Sequence, residues 1–408
     1  MRKVIVGMSG GVDSAVTAYL LKAAGFAVTG ITLRTWSGAD GQESRCCEIS
    51  DAMLVAQKLD IPYYAVNCIS CFREKVIDPF VEDYVHGLTP NPCVDCNRDV
   101  KWEQMLLAAA RLRADYIATG HYASLVRLPN GRYTVQQSAF AEKDQTYMLY
   151  RLTQEQLSRT IMPLGKLSKK EVRHIAEKTG LPVAHKKDSQ EICFVTGGGY
   201  ADYIEEETDA QLPPEGCFVD VDGNIVGRHR GIIHYTVGQR KRLGLALGYP
   251  AYVKSINAAH NEIVIGDEQS LYSKEILCNA VNFMSVAGIE AGNPLRANVK
   301  IRYHHKGEDA WLKMEGEDML RIIFDEPVRA AAPGQTAVFY DEDRCVIGGG
   351  KVVKEKDNQC FRICEEALMT ELITLFPLTY YEMNDTIKIM KFRETRSIDY
   401  GRNAVGDT

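Results

Sequence analysis

The chain has 408 residues, of which 45% are hydrophobic and 25% charged, a composition typical of a globular protein with two or three domains. Its formal net charge of -6 excludes a global positive field that recruits nucleic acid, so any RNA contact must come from local basic patches. We find no secretory leader pattern and no run of the roughly 18 apolar residues that a membrane span requires, and we therefore expect a cytoplasmic protein without a membrane partner. In that compartment the 12 cysteines should be metal ligands, redox centres or packing residues, because thiols there stay reduced.

The most informative stretch follows the first apolar run. Residues 4–8 predict a buried strand and residues 12–24 a helix, and Ser9-Gly10-Gly11-Val12-Asp13-Ser14 lies at their junction. Adjacent glycines let backbone N–H groups approach phosphate oxygens, and the helix N-terminus attracts an anion. A Walker-type loop carries a lysine that is missing here. This phosphate loop (residues 9–14) therefore predicts an ATP site and disfavours ordinary γ-phosphoryl transfer.

Strand-like and helix-like segments then alternate, which predicts a parallel sheet covered by helices. The strand-like segments are residues 28–33, 63–67 and 116–119, and the helix-like segments are residues 49–59, 72–85 and 102–113. Ligands of such sheets bind beyond the carboxyl ends of the strands. We therefore expect Gly120-His121, after the last of these strands, to share one site with the phosphate loop.

The C-terminal half has a different pattern. The acidic, proline-containing residues 205–215 predict a linker. Residues 296–303 alternate apolar and basic side chains, which predicts a half-buried strand with a basic outer face that could meet phosphates. Further strand-like runs at residues 321–324, 336–340 and 345–347 predict a small β-barrel.

Cysteines at two places could carry chemistry. Cys93 and Cys96 lie three residues apart on a proline-stiffened turn, a spacing suited to a metal or a redox couple. Cys193 follows Lys186-Lys187, whose charges would favour a reactive thiolate if they lie nearby. Taken alone, Cys193 is more readily explained as a core residue.

Several motifs, in this order, resemble those of the tRNA-specific 2-thiouridylases, the family of bacterial MnmA and its mitochondrial relatives within the PP-loop ATP pyrophosphatases. The motifs are Gly7-Met8 with the phosphate loop, Thr89-Pro90-Asn91-Pro92, Thr119-Gly120-His121-Tyr122, Lys143-Asp144-Gln145-Thr146-Tyr147, Asp188-Ser189-Gln190 with Ile192-Cys193-Phe194, His234-Tyr235-Thr236-Val237-Gly238-Gln239-Arg240-Lys241, and Ala332-Pro333-Gly334-Gln335. The resemblance implies a Rossmann-like PP-loop domain over residues 1–207, a small central tRNA-contacting domain over 208–272 and a C-terminal β-barrel over 273–353. Residues 354–408 lie outside the pattern and form an extension of unknown role.

The activity that this resemblance implies is ATP-dependent 2-thiolation of the wobble uridine of tRNA. A carbonyl oxygen is a poor leaving group, so adenylation converts it to an AMP ester that sulfur then displaces. Mg²⁺ is expected to neutralise the departing pyrophosphate. The sulfur is expected from a protein or inorganic donor.

The same resemblance implies residues for each ligand. Those for ATP are Gly7, Met8, Ser9, Gly10, Gly11, Val12, Asp13, Ser14, Leu33 and Gly120. Those for tRNA are Asn91, Pro92, Cys93, His121, Lys143, Asp144, Gln145, Arg302, Tyr303 and Gln335.

For catalysis the resemblance implies that Cys193 carries a persulfide and that Cys96 attacks it, ending in a Cys96–Cys193 disulfide. Many members have aspartate where this chain has Cys93. With Cys93 the three thiols form the ligand set expected of a four-iron four-sulfur cluster with one open iron, which some relatives use to deliver sulfide. The softness of the thiolate ligands and their spacing in the sequence are compatible with both the persulfide relay and the cluster, so both remain open.

Two other classes of function compete with this one. A PP-loop ligase or amidotransferase acting on a small molecule has no need of the three thiols or of the basic strand. A zinc-stabilised RNA-binding protein would use Cys68, Cys71, Cys93 and Cys96 as ligands, but it leaves the phosphate loop unexplained. One departure from the family is Arg242, at a position where relatives usually have glycine, which predicts a different local turn or a different approach of the RNA.

Overall fold

The computed structural model describes residues 1–36, 48–186, 192–195, 199–208, 212–290 and 292–354. Met1–Glu355 form one compact unit, and the second unit, Lys356–Thr408, lies outside the described residues together with the Asp188-Ser189-Gln190 motif. Within the described ranges, none of the helices combines the length and the apolar character needed to span a bilayer.

The first part of the chain is built on a parallel sheet, as predicted. Its strands and an accompanying hairpin are β1 (Lys3–Gly7), β2 (Ala27–Arg34), β3 (Tyr63–Asn67), β4 (Tyr116–Ala118), β5 (Ala123–Arg127), β6 (Tyr133–Gln137) and β7 (Thr160–Ile161). The sheet order is β3-β2-β1-β4-β7, with every pair parallel, and β5 pairs with β6 as an antiparallel hairpin that the sequence did not predict. The phosphate loop therefore leaves the central strand of the sheet.

Helices cover both faces of this sheet. They are α1 (Val12–Ala23), α2 (Ile49–Lys58), α3 (Ile69–Phe72), α4 (Asp78–Val85), α5 (Pro92–Asp95), α6 (Glu103–Leu112), α7 (Gln154–Ser158), α8 (Lys169–Lys178) and α9 (Tyr200–Glu207). Helices α1, α2 and α8 pack with Val4 and Val6 on one face, whereas α4 and α6 pack on the other face with Ile5. This division follows from the alternation of side chains along β1.

Two of the helices are longer than predicted. The π-helical segment Arg73–Ile77 joins α3 to α4, and the π-helical segment Cys96–Trp102 joins α5 to α6. The prediction of a turn at Cys93 and Cys96 was wrong, because Pro92 begins a helix there. Proline suits the first helical position for two reasons. Its fixed φ matches the helix, and an N–H at that position would have no acceptor within the helix. We call the stretch from Pro92 to Leu112 the cysteine helix.

The central part of the chain is a four-stranded sheet. Its strands are β8 (Gly216–Val219), β9 (Ile225–His229), β10 (Tyr252–Asn257) and β11 (Glu262–Gly266), in the order β10-β11-β8-β9. The linker predicted at residues 205–215 begins too early, because α9 extends to Glu207. Buried Tyr203 and Ile204 give that acidic segment an apolar face, which stabilises the helix. Arg242 has φ 63°, the left-handed conformation that glycine adopts most easily.

The last part is a closed β-barrel, as predicted. Its strands are β12 (Tyr272–Phe283), β13 (Leu295–Lys300), β14 (Glu308–Met314), β15 (Leu320–Arg329), β16 (Thr336–Tyr340) and β17 (Val346–Val353), closed in the order β12-β15-β14-β13-β16-β17. The barrel packs directly against the first part of the chain, since Tyr147 donates its hydroxyl to the carbonyl of Thr336 at 2.7 Å. Arg132 donates to the carbonyl of Met284 at 2.8 Å. The barrel is thereby fixed beside the cysteine helix.

The basic outer face predicted for residues 296–303 is largely used within the protein. Arg296 pairs with Asp325 and lies over the Trp311 ring at 5.3 Å. Arg302 donates to the carbonyl of Arg329 at 2.8 Å. Periodicity reveals which side of a strand faces outward, but it does not reveal which acidic or carbonyl groups of other strands meet that side.

Candidate active site

The phosphate loop is held by its own serines. The backbone N–H of Ser9 donates to Ser14 Oγ at 3.2 Å, and that hydroxyl donates to the carbonyl of Gly11 at 3.0 Å. Gly10 has φ +76°, and a Cβ there would lie 2.6 Å from the carbonyl oxygen of Glu48. Among the described residues no side chain caps α1 at Gly11. The N-terminal N–H groups of α1 are therefore available to an anion.

The turn after β4 touches this loop, as expected. A Cβ on Gly120 would lie 2.9 Å from the carbonyl carbon of Asp13 and 2.9 Å from the backbone nitrogen of Ser14. Met8 is buried and donates its N–H to the carbonyl of Ile31 at 2.7 Å, and buried Leu33 lies near the end of β2. The predicted ATP residues thus gather at the carboxyl edge of the sheet.

Asp13 is neutralised by a residue that the sequence analysis missed. Lys169 Nζ lies 2.8 Å from each carboxylate oxygen of Asp13, and the Tyr122 hydroxyl donates to Oδ1 at 2.8 Å. Lys169 begins α8, where Ser168 and Glu171 form a capping box. That capping pattern identifies the helix start in the sequence but not its partner across the fold. The ion pair keeps the carboxylate from cancelling the positive end of α1.

Lys186 also lies at the phosphate loop. Its Nζ is 3.2 Å from the carbonyl oxygen of Gly10 and 2.5 Å from Asp51 Oδ2, and it pairs with Glu48 as well. Lys186-Lys187 precede Cys193 in the sequence, and their charges would favour a thiolate there if they lay nearby. In the structure the charge of Lys186 is used at the loop, because the acidic first turn of α2 attracts it, and Lys187 lies outside the described residues.

The cysteines lie on and beside the cysteine helix. Cys96 is buried in the apolar cluster that also holds Phe194, and partly buried Cys193 packs against that cluster. The ring of Phe194 lies 5.6 Å from that of Phe72, which fixes the segment next to Cys193. Cys93 is half-buried, and in the described part of the chain all three thiols are free of disulfides.

The barrel holds the segment that leads into the cysteine helix. Gln335 Nε2 donates to the carbonyl of Thr89 at 3.0 Å, and the N–H of Thr89 donates to the carbonyl of Pro333 at 2.8 Å. Gly334 has φ +90°, and a Cβ on it would lie 2.7 Å from the nitrogen of Thr89. Asn91 Nδ2 lies 3.5 Å from Met148 Sδ. Gln335 therefore positions the residues that precede Pro92.

His121 lies between the phosphate loop and the cysteine helix. Its predecessor Gly120 packs on the phosphate loop, and its own ring lies 5.4 Å from the ring of Trp102 on the cysteine helix. Its Nδ1 lies 2.9 Å from Thr119 Oγ1. Burial, together with the charge of Lys101, lowers the pKa of His121 to about 3. The ring is therefore neutral at physiological pH.

Two side chains of the Lys143-Asp144-Gln145 motif are engaged inside the protein. The buried Asp144 carboxylate accepts from the Thr146 hydroxyl at 2.8 Å, and Gln145 Oε1 accepts from the N–H of Tyr122 at 2.9 Å. The Tyr303 hydroxyl donates to the carbonyl of Asp144 at 3.0 Å. Burial, with Asp144 and Cys93 nearby, raises the pKa of Tyr303. Tyr303 thus contacts this motif and has Cys93 nearby. Lys143 is half-buried.

The described residues do not fit a preformed metal centre. They contain no group of three or more His, Cys, Asp or Glu side chains that could hold a metal ion. Cys68 donates to the carbonyl of Val66 at 3.7 Å, and Cys71 accepts from Gln104 at 3.8 Å, so the four-thiol zinc hypothesis is not supported. Cys93, Cys96 and Cys193 likewise form no such group in the described structure, so their arrangement does not fit the three ligands of an iron-sulfur cluster.

Comparison with known proteins assigns the family. Family models match residues 2–197 as a tRNA methyl transferase HUP domain, 201–267 as a tRNA methyl transferase PRC-barrel domain and 273–352 as an aminomethyltransferase β-barrel domain. The tRNA-specific 2-thiouridylase MnmA of Lachnoclostridium phytofermentans is 52% identical over 361 residues, covering 87% of this chain and 100% of that protein. The MnmA of Acetivibrio thermocellus is 50% identical, covering 86% of this chain and 98% of that protein.

A solved structure with partial similarity is the U34-tRNA thiolase NcsA from Methanococcus maripaludis with its [4Fe-4S] cluster. It is 24% identical, covers 47% of this chain and 61% of that chain, and has a TM-score of 0.32, which is too low to bear on function. The identities over nearly the whole length of the MnmA proteins are decisive instead. This chain belongs to the tRNA-specific 2-thiouridylase MnmA family.

Proposed function

We propose that this enzyme performs ATP-dependent 2-thiolation of the wobble uridine of tRNA. The observation that carries the proposal is the turn Gly120-His121-Tyr122, which contacts the phosphate loop through Gly120 and the cysteine helix through His121. One turn thus connects a site for ATP with a site for thiols. Family membership supports the same reaction.

The first step is adenylation of the uridine. The O2 oxygen of the base attacks the α-phosphorus of ATP, an O–P bond forms, and the bond to pyrophosphate breaks. The N–H groups at the start of α1 receive the departing negative charge, and the Asp13–Lys169 pair leaves their positive potential intact. Mg²⁺ would accompany the phosphates of ATP and supply further neutralising charge.

The second step is sulfur transfer. We assign the persulfide to Cys193, since it packs against the apolar cluster that contains buried Cys96. The terminal sulfur attacks C2 of the adenylated base and AMP leaves. The Cys96 thiolate then attacks Cys193 Sγ, so that a Cys96–Cys193 disulfide forms and 2-thiouridine is released. An external thiol reductant restores both thiols. A protein persulfide then transfers its outer, sulfane sulfur to the Cys193 thiolate, and the donor is left as a thiolate.

The persulfide relay is proposed in preference to a cluster because the described residues contain no group of three His, Cys, Asp or Glu side chains that could hold a metal ion. Cys96 belongs to the apolar cluster against which Cys193 packs, which suits a reaction between these two thiols. We infer that Asn91, Pro92 and Cys93 meet the target base and that His121, Lys143 and Tyr303 approach the surrounding RNA. Uridine must leave its stack to reach this pocket.

The domain division is part of the proposal. We infer a PP-loop domain over residues 1–207, a central domain over 208–272 and a barrel over 273–353. The separate sheet β8–β11 and the closed barrel β12–β17 support this division.

The test uses the purified full chain with tRNA, ATP and a persulfide donor, followed by mass analysis of the nucleosides. We expect 2-thiouridine from the wild type and from the control Cys217→Ser, which alters a partly buried thiol on β8. Cys193→Ser and Cys96→Ser should give no thiolated product, while Cys193→Ser still releases pyrophosphate with tRNA. Normal product from Cys193→Ser would refute its assigned role.

A further inference from the structure

The phosphate loop lacks the lysine of a Walker-type loop, but Lys186 approaches it from a distant part of the chain. Its Nζ lies 3.2 Å from the carbonyl oxygen of Gly10 and 2.5 Å from Asp51 Oδ2, and it also pairs with Glu48. An ammonium group has three N–H donors. All three of these donors have an acceptor in the described structure, so the side chain acts as a clamp between the loop and α2.

The clamp orients one peptide unit of the loop. The carbonyl of Gly10 and the N–H of Gly11 belong to the same planar peptide and point in opposite directions. A lysine that binds the carbonyl therefore turns the Gly11 N–H towards the opposite side, where Ser9 Oγ accepts it at 3.4 Å and where a phosphate oxygen would take the place of that hydroxyl. The left-handed φ of Gly10, +76°, permits this orientation.

The clamp also controls the charge beside the ATP phosphates. Glu48 and Asp51 flank the start of α2, and the N–H of Glu48 lies 3.3 Å from the carbonyl oxygen of Ser9. Two carboxylates at this position would repel ATP if they lacked a counter-charge. The ammonium of Lys186, half-buried between them, offsets one of the two negative charges.

We propose that Lys186 is a positioning residue for ATP, which fixes the Gly10–Gly11 peptide in its phosphate-receptive orientation and shields the nucleotide from Glu48 and Asp51. This inference rests on the proposed ATP-dependent function. It assigns Lys186 no bond to the phosphates, since its donors are already used by protein acceptors. Lys169 has a different role, because it binds both oxygens of Asp13 on the other side of the loop.

The experiment measures equilibrium binding of MgATP to the full chain and the steady-state kinetics of tRNA thiolation. We expect Lys186→Met to weaken ATP binding and raise the KM for ATP by about tenfold or more, with kcat at saturating ATP within about threefold of the wild type. Lys186→Arg should recover most of the affinity. The matched control is Lys170→Met, which removes an exposed lysine of α8 and should leave ATP binding unchanged.

A second set of variants separates positioning from direct contact. Adding Glu48→Gln and Asp51→Asn to Lys186→Met removes the uncompensated charges and should recover part of the lost affinity, and the unfolding temperature shows that each variant folds. Wild-type affinity in Lys186→Met would overturn the inference. Recovery with arginine but none with the neutralised carboxylates would also overturn it, since it indicates a direct phosphate bond. Failure of the wild type to bind ATP would refute the proposed function instead.

Discussion

Replacing Gly120 by alanine tests whether the turn after β4 sets the geometry of the phosphate loop. A Cβ at this position would lie 2.9 Å from the carbonyl carbon of Asp13, 2.9 Å from the nitrogen of Ser14 and 3.1 Å from the carbonyl oxygen of Asp13. These are backbone atoms, so no flexible side chain can move aside. The turn or the loop must shift by several tenths of an ångström.

The magnitude follows from the cost of overpacking. Inserting a methyl group into a tightly packed place costs about 1–3 kcal/mol. If ATP binding requires the undisturbed loop, its affinity should fall by roughly 5-fold to 150-fold, since about 1.4 kcal/mol corresponds to a factor of ten. The assay is equilibrium binding of MgATP, with the unfolding temperature measured in parallel.

The matched control is Gly288→Ala, because a Cβ on Gly288 would have no heavy atom of the described structure within 4 Å. We expect the control to bind ATP as the wild type does. Wild-type affinity in Gly120→Ala would refute the idea that the contact between the two turns shapes the ATP site.

Three further predictions concern tRNA, the thiols and pH. Gln335→Ala removes the bond to the Thr89 carbonyl and should raise the KM for tRNA about 5-fold to 10-fold without changing ATP affinity, since one such bond contributes about 1 kcal/mol; a change in ATP affinity alone would contradict the positioning role. Cys93→Asp should retain thiolation, because Cys93 is outside the proposed relay and because aspartate, which many members of the family have at this position, should also accommodate the target base; loss of product together with loss of stoichiometric iron would favour a cluster. Burial lowers the pKa of His121 to about 3 from an ordinary value of 6.5. The unfolded state therefore binds the extra proton, and His121 destabilises the folded protein increasingly as pH falls from 6.5 towards 3. His121→Gln should therefore lose less stability than the wild type between neutral pH and pH 4 in urea unfolding, and an equal acid sensitivity would contradict the low pKa.

Contiguous patterns were enough to predict the sheet, the phosphate loop and the barrel. The glycines and serines of the loop are neighbours in the chain, and the alternation of residues 296–303 records which side of β13 is buried. Interactions between residues that are close in the chain determine these elements, so the sequence pattern predicts them directly.

Partners from distant segments could not be predicted in this way. Lys169 reaches Asp13 across a separation of 156 residues, and Lys186 reaches Gly10 across 176. Nothing in the local sequence of either lysine specifies its partner. The basic face of β13 was predicted, but its partners were not, for the same reason: Arg296 meets Asp325 on another strand.

The prediction of a turn at the start of the cysteine helix was wrong for a different reason. Two prolines around Asn91 indicated a turn, but Pro92 lies where a helix accepts proline. The consequence for the site is substantial, because Cys93 and Cys96 are one helical turn apart and the next turn is π-helical. Asn91 followed by Pro92 is itself a sequence signal of a helix start, although the Asn91 side chain makes no capping bond in the described structure.

The central claim is that the phosphate loop and the pair Cys96 and Cys193 serve a single reaction. The most direct test is a single turnover of the persulfide-loaded full chain with ATP and tRNA, in which AMP, 2-thiouridine and the Cys96–Cys193 disulfide are quantified together by mass spectrometry. We expect equal amounts of AMP, 2-thiouridine and the disulfide. Thiolated tRNA formed without AMP, or without a disulfide between these two cysteines, would contradict it.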